Sequence, residues 1–293
     1  MLLADGVYAG ADNKNVTVVN SRLTIMSESG DPELCVIDCE GSGRFAIYAG
    51  VSDSSASGLV QGLKITGAST AIEASEDVSL SINNCILTGN SGPAVRASGM
   101  PAQDYARINV SRSTFSSNPA GAMSCGYKCG LTAGSCTFFN NGRILFVDEQ
   151  GYGSLLRCTV AFNSVSSGGL IVSSYSGVII NKSIIAFNSG NIIEYVGWCD
   201  VALECSDVYG NTAGDYVGCL AGRNGIDGNI SSDPLFCDVA TGTFTVEECS
   251  PCLPGNHPDS VDCDLIGAWD VGCVCGPSAT ESSTWGGIKS LYR

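Results

Sequence analysis

A short apolar strand that closes with asparagine recurs along the chain. The clearest copies are NNCILTGN (83–90), SRSTFSSN (111–118), SCTFFNN (135–141), LRCTVAFN (156–163), NKSIIAFN (181–188) and SDVYGN (206–211). The closing residues are Asn90, Asn118, Asn141, Asn163, Asn188 and Asn211, which are 28, 23, 22, 25 and 23 residues apart. An earlier copy, LKITGA (63–68), ends in alanine instead. A repeat of this length predicts a solenoid, in which each unit buries its apolar face against its neighbours.

Two columns of residues in these copies point to the same side of the predicted strand, because residues two apart share a face. The column three residues before the asparagine is large and apolar, and contains Leu87, Phe115, Phe138, Val160, Ile185 and Val208. The column five residues before it is small, and contains Cys85, Ser113, Cys136, Cys158, Ser183 and Ser206. This alternation predicts half-buried strands that stack in register around a narrow core.

A period of 22 to 28 residues is also typical of leucine-rich repeats, so that alternative has to be weighed. The repeats here are rich in Ser, Gly, Thr, Ile and Val rather than Leu, and no segment has sustained helical periodicity. A second short strand follows the asparagine, as in AVRAS (94–98) and LIVSS (170–174), which leaves no room for a helix. We therefore predict an all-β fold, a right-handed parallel β-helix (solenoid) of about nine coils.

The asparagine column has a structural explanation. Asparagine tolerates the left-handed backbone conformation that a tight corner of the coil needs. Stacked asparagines can also hydrogen-bond along the axis as a ladder of amides. We therefore interpret the six residues as structural and leave them out of any active site.

The charge and composition of the 293-residue chain narrow its functions. Lys and Arg number 14 against 29 Asp and Glu, which gives a formal net charge of -15. Nucleic-acid binding is excluded on this basis, because it needs a basic face. No apolar run reaches the roughly 18 residues of a membrane-spanning helix. A hydrophobic content of 44% with only 15% charged residues predicts a folded chain rather than a disordered one.

Sixteen cysteines indicate an oxidising compartment. The first residues, MLLADGVY (1–8), contain no basic segment, long apolar stretch or cleavage site of a secretory signal. We favour a secreted or cell-surface protein whose leader is absent from this chain. The alternative is a cytosolic protein with many reduced thiols.

Motifs at both ends of the chain carry a family resemblance. LLADGVYAG (2–10) precedes the repeats, and DPLFCD (233–238), ECSPCLPGN (248–256) and DLIGAWD (264–270) follow them. Together these motifs resemble those of bacterial right-handed parallel β-helix proteins of the pectin-lyase-like superfamily. The resemblance implies a β-helix over residues 1–232, a cysteine-rich C-terminal cap over the last coil at 233–276, and a C-terminal tail at 277–293. It also implies a truncated N-terminal cap, whose open sheet edge favours end-to-end self-association.

The cysteines fall into several predicted groups. Cys85, Cys136 and Cys158 lie in the small inward column and are expected to be buried thiols. The cap contains six more, for which disulfides are predicted without a defined pairing: Cys237, Cys249, Cys252, Cys263, Cys273 and Cys275. A zinc site from Cys249, Cys252, Cys273 and Cys275 is conceivable, but the second spacing is poor and no metal is predicted. Cys35–Cys39 and Cys125–Cys129 are plausible local pairs, and Cys199, Cys205 and Cys219 supply candidates for another.

A column of basic residues is the candidate ligand site. Arg112, Arg157 and Lys182 each lie six residues before an asparagine, and the other candidates are Arg143, Asp148 and Glu149. Coils stack at about 4.8 Å, so this outward column could contact a polysaccharide or a surface glycan. Aromatic residues near the asparagine corner add modest support: Phe139, Phe162, Phe187 and Tyr209. We expect Phe162 and Phe187 to pack inward at the turn.

The residues favour binding over catalysis. The superfamily resemblance makes a polygalacturonase-type site a candidate. Such a site needs paired aspartates and a Gly-His-Gly motif, yet the one histidine, His257, lies in PGNHPD. A pectate-lyase-type site needs acidic calcium ligands and a basic residue beside the substrate, and its characteristic motifs are not found. We therefore expect a structural, carbohydrate-binding protein that needs no cofactor. The alternative is a calcium-assisted lyase that acts on an acidic polysaccharide.

Overall fold

The computed structural model is an all-β parallel solenoid of about eleven turns, slightly more than the predicted nine. It describes residues 1–19, 22–50, 56–75, 77–99 and 105–276, so the predicted tail at 277–293 lies outside the described residues. Each regular coil contributes one strand to each of three parallel sheets. We call the connection between sheets 1 and 2 the first corner, that between sheets 2 and 3 the second corner, and the return to sheet 1 the third corner.

Strands are numbered along the chain. Sheet 1 contains β1 (Leu2–Leu3), β4 (Leu23–Ser27), β7 (Ala56–Gln61), β10 (Val78–Asn83), β13 (Ala106–Ser111), β16 (Cys129–Gly134), β19 (Tyr152–Leu156), β22 (Gly177–Asn181) and β25 (Asp200–Glu204). Sheet 2 contains β2 (Gly6–Tyr8), β5 (Cys35–Asp38), β8 (Lys64–Thr66), β11 (Ile86–Thr88), β14 (Thr114–Ser116), β17 (Thr137–Phe139), β20 (Thr159–Ala161), β23 (Ile184–Ala186) and β26 (Asp207–Tyr209).

Sheet 3 contains β3 (Val16–Val19), β6 (Phe45–Gly50), β9 (Thr70–Ser75), β12 (Val95–Ser98), β15 (Met123–Cys125), β18 (Leu145–Val147), β21 (Ser164–Ser174) and β24 (Ser189–Val196). A small fourth sheet contains β27 (Phe236–Asp238), β28 (Thr243–Glu247) and β29 (Val271–Cys273). The described residues also include three short 3₁₀ helices, at Ala11–Asn13, Gly218–Leu220 and Val239–Thr241.

The interior consists of columns of side chains that run along the solenoid axis. The two columns predicted from the repeats both point inward, and all of their members are buried. The register of sheet 2 extends the small column backward, because Cys35 lies opposite Leu63 and Leu63 lies opposite Cys85. Cys35 therefore fills the core as a free buried thiol, and Cys39 is also free and buried. The predicted Cys35–Cys39 disulfide is wrong.

The six asparagine amides form a continuous ladder inside the second corner. Each Nδ2 donates to the Oδ1 of the next asparagine along the axis, over distances of 2.9–3.1 Å. Each Oδ1 also accepts a backbone N–H of the preceding coil, beginning with Ala68, where the earlier repeat has no asparagine. Asp215 ends the ladder by accepting from Asn211 at 2.9 Å. These bonds fix the stacking register of the coils at one corner.

The left-handed residue of the second corner is the one before the asparagine, not the asparagine itself as the sequence suggested. Positive φ angles of 55° to 69° occur there at Gly67, Gly89, Ser117, Asn140, Phe162, Phe187 and Gly210. A similar single left-handed residue forms the first corner, including Arg112 (49°), Arg157 (51°) and Lys182 (49°). The asparagine is thus selected for its buried amide, because the left-handed position accepts several residue types.

The segment predicted to close the last coil lies along the side of the solenoid instead. We call residues 233–276 the strap. Its backbone crosses the outer face of sheet 2 from the last coil backward: Gly267 N donates to Lys182 O (2.8 Å), Ala268 N to Thr159 Oγ1 (3.0 Å), and Trp269 Nε1 to Thr137 Oγ1 (2.7 Å). The segment before the strap covers the end of the core. Its Leu220 is buried, and its Tyr216 packs against the core.

Five disulfides hold these segments: Cys125–Cys129, Cys199–Cys219, Cys205–Cys263, Cys237–Cys273 and Cys249–Cys275. Cys205–Cys263 fastens the strap to the first corner, and two more lie within the strap. Cys252, predicted to be disulfide-bonded, is a buried free thiol, as are Cys85, Cys136 and Cys158. The conceivable zinc arrangement is also lost, because disulfide sulfurs are not the thiolates that zinc needs.

Removal of one ladder amide is expected to destabilise the solenoid strongly. Asn141→Ala takes away the partner of the Asn118 amide and three donor bonds of its own, all in a buried corner. We expect a loss of about 2–3 kcal/mol in the free energy of unfolding, measured by denaturant titration, because buried donors are left unpaired.

The neighbouring Asn140→Gly is the matched control. Asn140 is exposed and left-handed, so glycine relieves its backbone and should leave stability within about 0.5 kcal/mol of the parent. Equal losses in the two variants would contradict a structural role specific to the ladder.

Candidate functional site

The predicted ligand residues lie at three different corners and do not form one site. Arg112, Arg157 and Lys182 occupy the first corner, Arg143 lies at the second corner before β18, and Asp148 and Glu149 lie at the third corner after it. The three corners point away from one another around the coil. The candidates therefore cannot converge on a single small ligand.

Most of the basic column is already engaged by the strap. Asp264 forms ion pairs with Arg157 and with Lys182, the latter at 3.7 Å. The backbone N–H of Leu265, followed by the Arg157 guanidinium, lowers the pKa of Asp264. Arg112 is exposed and is separated from Arg157 by the coil that contains Ser135. The column thus serves mainly to hold the strap, and one basic residue of the three stays open to ligands.

Arg143 packs against its own strand rather than projecting from it. Its guanidinium carbon lies 5.4 Å from the centre of the Phe146 ring. Its Nε atom is buried and has no hydrogen-bond partner among the described residues. This contact with Phe146 leaves the side chain half-buried, which suits packing better than the capture of a large ligand.

The strap covers the aromatic residues Phe139, Phe162 and Phe187 at the second corner. Phe162 and Phe187 stack on each other outside the coil with ring centres 5.3 Å apart, so the expected inward packing is wrong. Phe244 of the strap contacts Phe139 and Phe162, and Phe236 contacts Phe187. These rings form a second, external apolar layer, and they are not a free sugar-stacking strip.

A buried acidic group beneath the strap was not anticipated from the sequence. Asp207 of β26 is completely buried; its Oδ1 accepts from Ser232 N at 3.0 Å, and its Oδ2 faces the Cys252 thiol at 3.4 Å. Burial raises the pKa of Asp207 to about 7, although the Ser232 N–H acts in the opposite direction. Burial and the Asp207 carboxyl also raise the pKa of Cys252. The sequence signal was an acidic residue at an outward position that is otherwise Thr or Ile.

The outer face of sheet 1 is a nine-stranded surface, and none of the strap contacts described above lies on it. We call this face the platform; its outward side chains include Ser79, Ser81, Asn83, Arg107, Asn109, Ser111, Thr132, Tyr152, Leu156, Ile179 and Asp200. Hydroxyl and amide groups prevail on β10 and β13, and the later strands combine Leu156 and Ile179 with Asn181, Asp200 and Glu204. The repeated motifs gave no signal for this face, because most of its residues lie outside the asparagine-terminated copies.

Exposed aromatic rings border the platform at the third corner. Tyr175 and Trp198 lie edge to face with ring centres 5.7 Å apart. Tyr152, Tyr175 and Trp198 are 40%, 46% and 63% exposed, and the two hydroxyls and the indole N–H form no hydrogen bond to another described residue. Asp200 extends over Gly177, where a Cβ atom would lie 3.2 Å from its Oδ2. Rings, amides and the carboxylates of Asp200 and Glu204 thus share a single open surface.

The described residues do not assemble the groups of a uronate-cleaving site. His257 is buried in the strap, with its Nε2 3.0 Å from Gly228 O. The one cluster of three acidic or thiol groups in the described chain is Glu247 with Cys249 and Cys275, and both cysteines are disulfide-bonded. Asp148 and Glu149 therefore have no third acidic partner at coordinating distance within the part of the chain that the structure describes.

The fold and its open face define the class: a right-handed parallel β-helix fastened by a lateral strap, with a flat polar and aromatic surface. Comparison with protein families agrees with this definition. The model of the right handed beta helix region matches residues 49–230, and the chain belongs to that family. A search of the curated proteins found no match. Within the described residues, no helix has the length and apolar character needed to cross a membrane.

The Asp207 carboxyl predicts a strap whose docking depends on pH. Its pKa rises from 3.8 to about 7 on folding, so the native state holds an extra proton between these values. The contribution of this proton to the free energy of unfolding is full below pH 3.8. It declines as the pH rises from 3.8 and is lost above about 7. The groups that face this carboxyl are Cys252, Asp215, Asp233 and Tyr216.

Asp207→Asn should remove this pH dependence. Relative to the parent, the variant is expected to gain thermal stability progressively from acid to neutral pH and to hold a constant advantage above about 7. Melting temperatures recorded across this range provide the measurement. Asp259→Asn, an exposed strap residue, serves as the control and should follow the parent. A difference between Asp207→Asn and the parent that does not change with pH would contradict the prediction.

Proposed function

We propose that this protein is a secreted or cell-surface β-helix scaffold that binds carbohydrate without cleaving it. The observation that carries this proposal is the exposed group Tyr152, Tyr175 and Trp198 beside the platform. The rings lie on consecutive coils of a rigid, disulfide-fastened solenoid. Such a surface is ordered before any ligand arrives, and binding then requires little further loss of side-chain freedom.

The disulfides support a location outside the cell. Five pairs lie at bonding distance, and disulfides persist in oxidising compartments. Most of them fasten the end of the solenoid and the strap, where irregular loops have little core of their own. The same bonds would be reduced in a cytosol kept reducing by glutathione and thioredoxin. Secretion or surface display is therefore part of the proposal.

Aromatic side chains suit sugars because both partners are amphipathic. A pyranose ring has apolar C–H faces and hydroxyl edges, while tyrosine and tryptophan combine an apolar ring with a polar tip. The Trp198 Nε1 and the tyrosine hydroxyls make no hydrogen bond within the described chain. They are therefore available to sugar hydroxyls while the ring faces stack.

The alternative function is a lyase that acts on an acidic polysaccharide with calcium. Arg112 favours it, since this arginine is exposed and lies on the column first considered for uronate contact. Arg157 and Lys182 weaken it, because the strap carboxylate Asp264 pairs with both. Placement in the pectin-lyase-like superfamily and a bacterial origin are inferred from the terminal motifs. End-to-end self-association stays a prediction.

Loss of one ring should weaken glycan binding. We expect Trp198→Ala to lower affinity for its best polysaccharide about tenfold, the change that corresponds to about 1.4 kcal/mol of lost contact. Affinity electrophoresis in gels that contain individual soluble polysaccharides measures this change. Leu34→Ala, which removes an apolar side chain of similar exposure (51%) near the other end, is the control and should bind as the parent does.

Two results would overturn this proposal. One is an unchanged mobility of the parent protein in every polysaccharide gel. The other is calcium-dependent formation of unsaturated uronide product, detected by its ultraviolet absorbance, that disappears in Arg112→Ala. The first would leave the protein without a carbohydrate ligand, and the second would establish the lyase alternative.

A further inference from the structure

We propose that the outer end of the strap binds a zinc ion while the disulfide between Cys249 and Cys275 is reduced. The ligands are the two thiolates of this pair and the carboxylate of Glu247. These three residues present one ligand atom each, and the atoms lie within 4.8 Å of one another. The zinc arrangement considered from the sequence had four cysteines, whereas this one keeps two of them and adds a carboxylate.

The backbone brings the three groups together and holds them together without the disulfide. Glu247 ends β28, and the N–H of Ser250 donates to Glu247 O at 2.9 Å, so a turn carries Cys249 back toward the glutamate. The strand β29 lies parallel to β28, with Cys273 opposite Glu247. These contacts keep the segment that contains Cys275 beside the turn whether or not the two sulfurs are bonded.

The Glu247 carboxylate is already oriented toward the sulfurs. Its Oε2 accepts the N–H of Gly276 at 3.0 Å, and the same oxygen lies 3.6 Å from Cys249 Sγ. A tetrahedral zinc ion, with bonds of about 2.3 Å to sulfur and about 2.0 Å to oxygen, separates such ligand atoms by about 3.5 Å. The carboxylate therefore lies at the distance from the sulfur that a shared zinc ion requires.

The redox state of the two cysteines decides whether the ion can bind, because zinc takes thiolates as ligands and not the sulfurs of a disulfide. A dithiol reductant breaks the S–S bond by transferring two electrons and two protons. The reductant becomes a disulfide, and Cys249 and Cys275 become thiols. Zinc then displaces both thiol protons, so one Zn²⁺ is bound and two protons are released. A two-electron oxidant reverses these steps and expels the ion.

Accessibility separates this pair from most other sulfurs of the described chain. Cys249 is exposed and Cys275 is half-buried, so a reductant and a metal ion reach them from solvent. The free thiols are all buried, and so is the Cys205–Cys263 disulfide that fastens the strap to the coil. Reduction of the outer pair therefore leaves the strap attached. A water molecule completes the tetrahedron, as in other zinc sites with three protein ligands.

The ion gives the outer end of the strap a cross-link in a reducing environment. A chain that reaches an oxidising compartment passes first through the reducing one in which it is synthesised. Zinc there joins the same two segments that the disulfide joins later, and the net charge of -15 favours a cation over an anion at this end. This role rests on the proposed location of the protein, whereas the metal site itself does not.

Titration of the full-length chain with Co²⁺ tests the assignment, because tetrahedral cobalt thiolates absorb strongly in the visible and near-ultraviolet range. The chain is reduced with a phosphine, freed of reductant under nitrogen and titrated with Co²⁺, which Zn²⁺ then displaces. We expect one equivalent of metal per reduced chain and none per oxidised chain. Glu247→Gln should weaken Zn²⁺ binding at least about tenfold, and Cys249→Ser should abolish the thiolate absorption.

Two matched variants control for the carboxylate and for the thiols. Glu248→Gln alters the exposed neighbour of Glu247 and should bind metal as the parent does. The double variant Cys199→Ser/Cys219→Ser removes another disulfide that solvent reaches, and it should also leave binding unchanged. Metal bound by the oxidised chain, no metal bound by the reduced chain, or cobalt absorption that survives Cys249→Ser would overturn the proposal. Equal effects of Glu247→Gln and Glu248→Gln would overturn it as well.

Discussion

The buried amide ladder is the interaction on which the rest of this structure depends. Each amide satisfies groups of its own coil and of the next coil at once, as Asn141 does with Phe139 O, Phe115 O and Asn163 Oδ1. A coil displaced by one residue would break these bonds and turn every outward side chain inward. The ladder therefore sets the register from which the core columns, the strap contacts and the platform all follow.

The strap makes the three faces of the solenoid unequal. On sheet 2 it adds a second apolar layer, with Phe244 against Phe139 and Phe162, and covers threonines that would otherwise meet water. Asp264 and Cys263 fasten it at the first corner, where the basic column and Cys205 lie. Sheet 1 keeps its short polar side chains open. The division between a fastened face and an open one is what gives the scaffold a defined surface for a ligand.

The sequence predicted the fold through its repeats, because a buried column leaves a strict signature. The inward parity of Phe115 and Cys136 followed from spacing alone. The site was much harder to predict, since the partner of Arg157 is 107 residues away at Asp264, and no local pattern connects them. Asp207 and Cys252 likewise meet only through the path of the strap. The platform escaped notice because small outward residues carry no periodic signal of their own.

Native-state hydrogen exchange tests most directly whether the ladder governs the fold. The account predicts that the backbone N–H groups of Asn118, Asn141 and Asn163, which donate to ladder amides, exchange together and only through global unfolding. The strap N–H of Ala268 should exchange faster, through local release of the strap. Ladder N–H groups that exchange as fast as that of Ala268 would contradict the account.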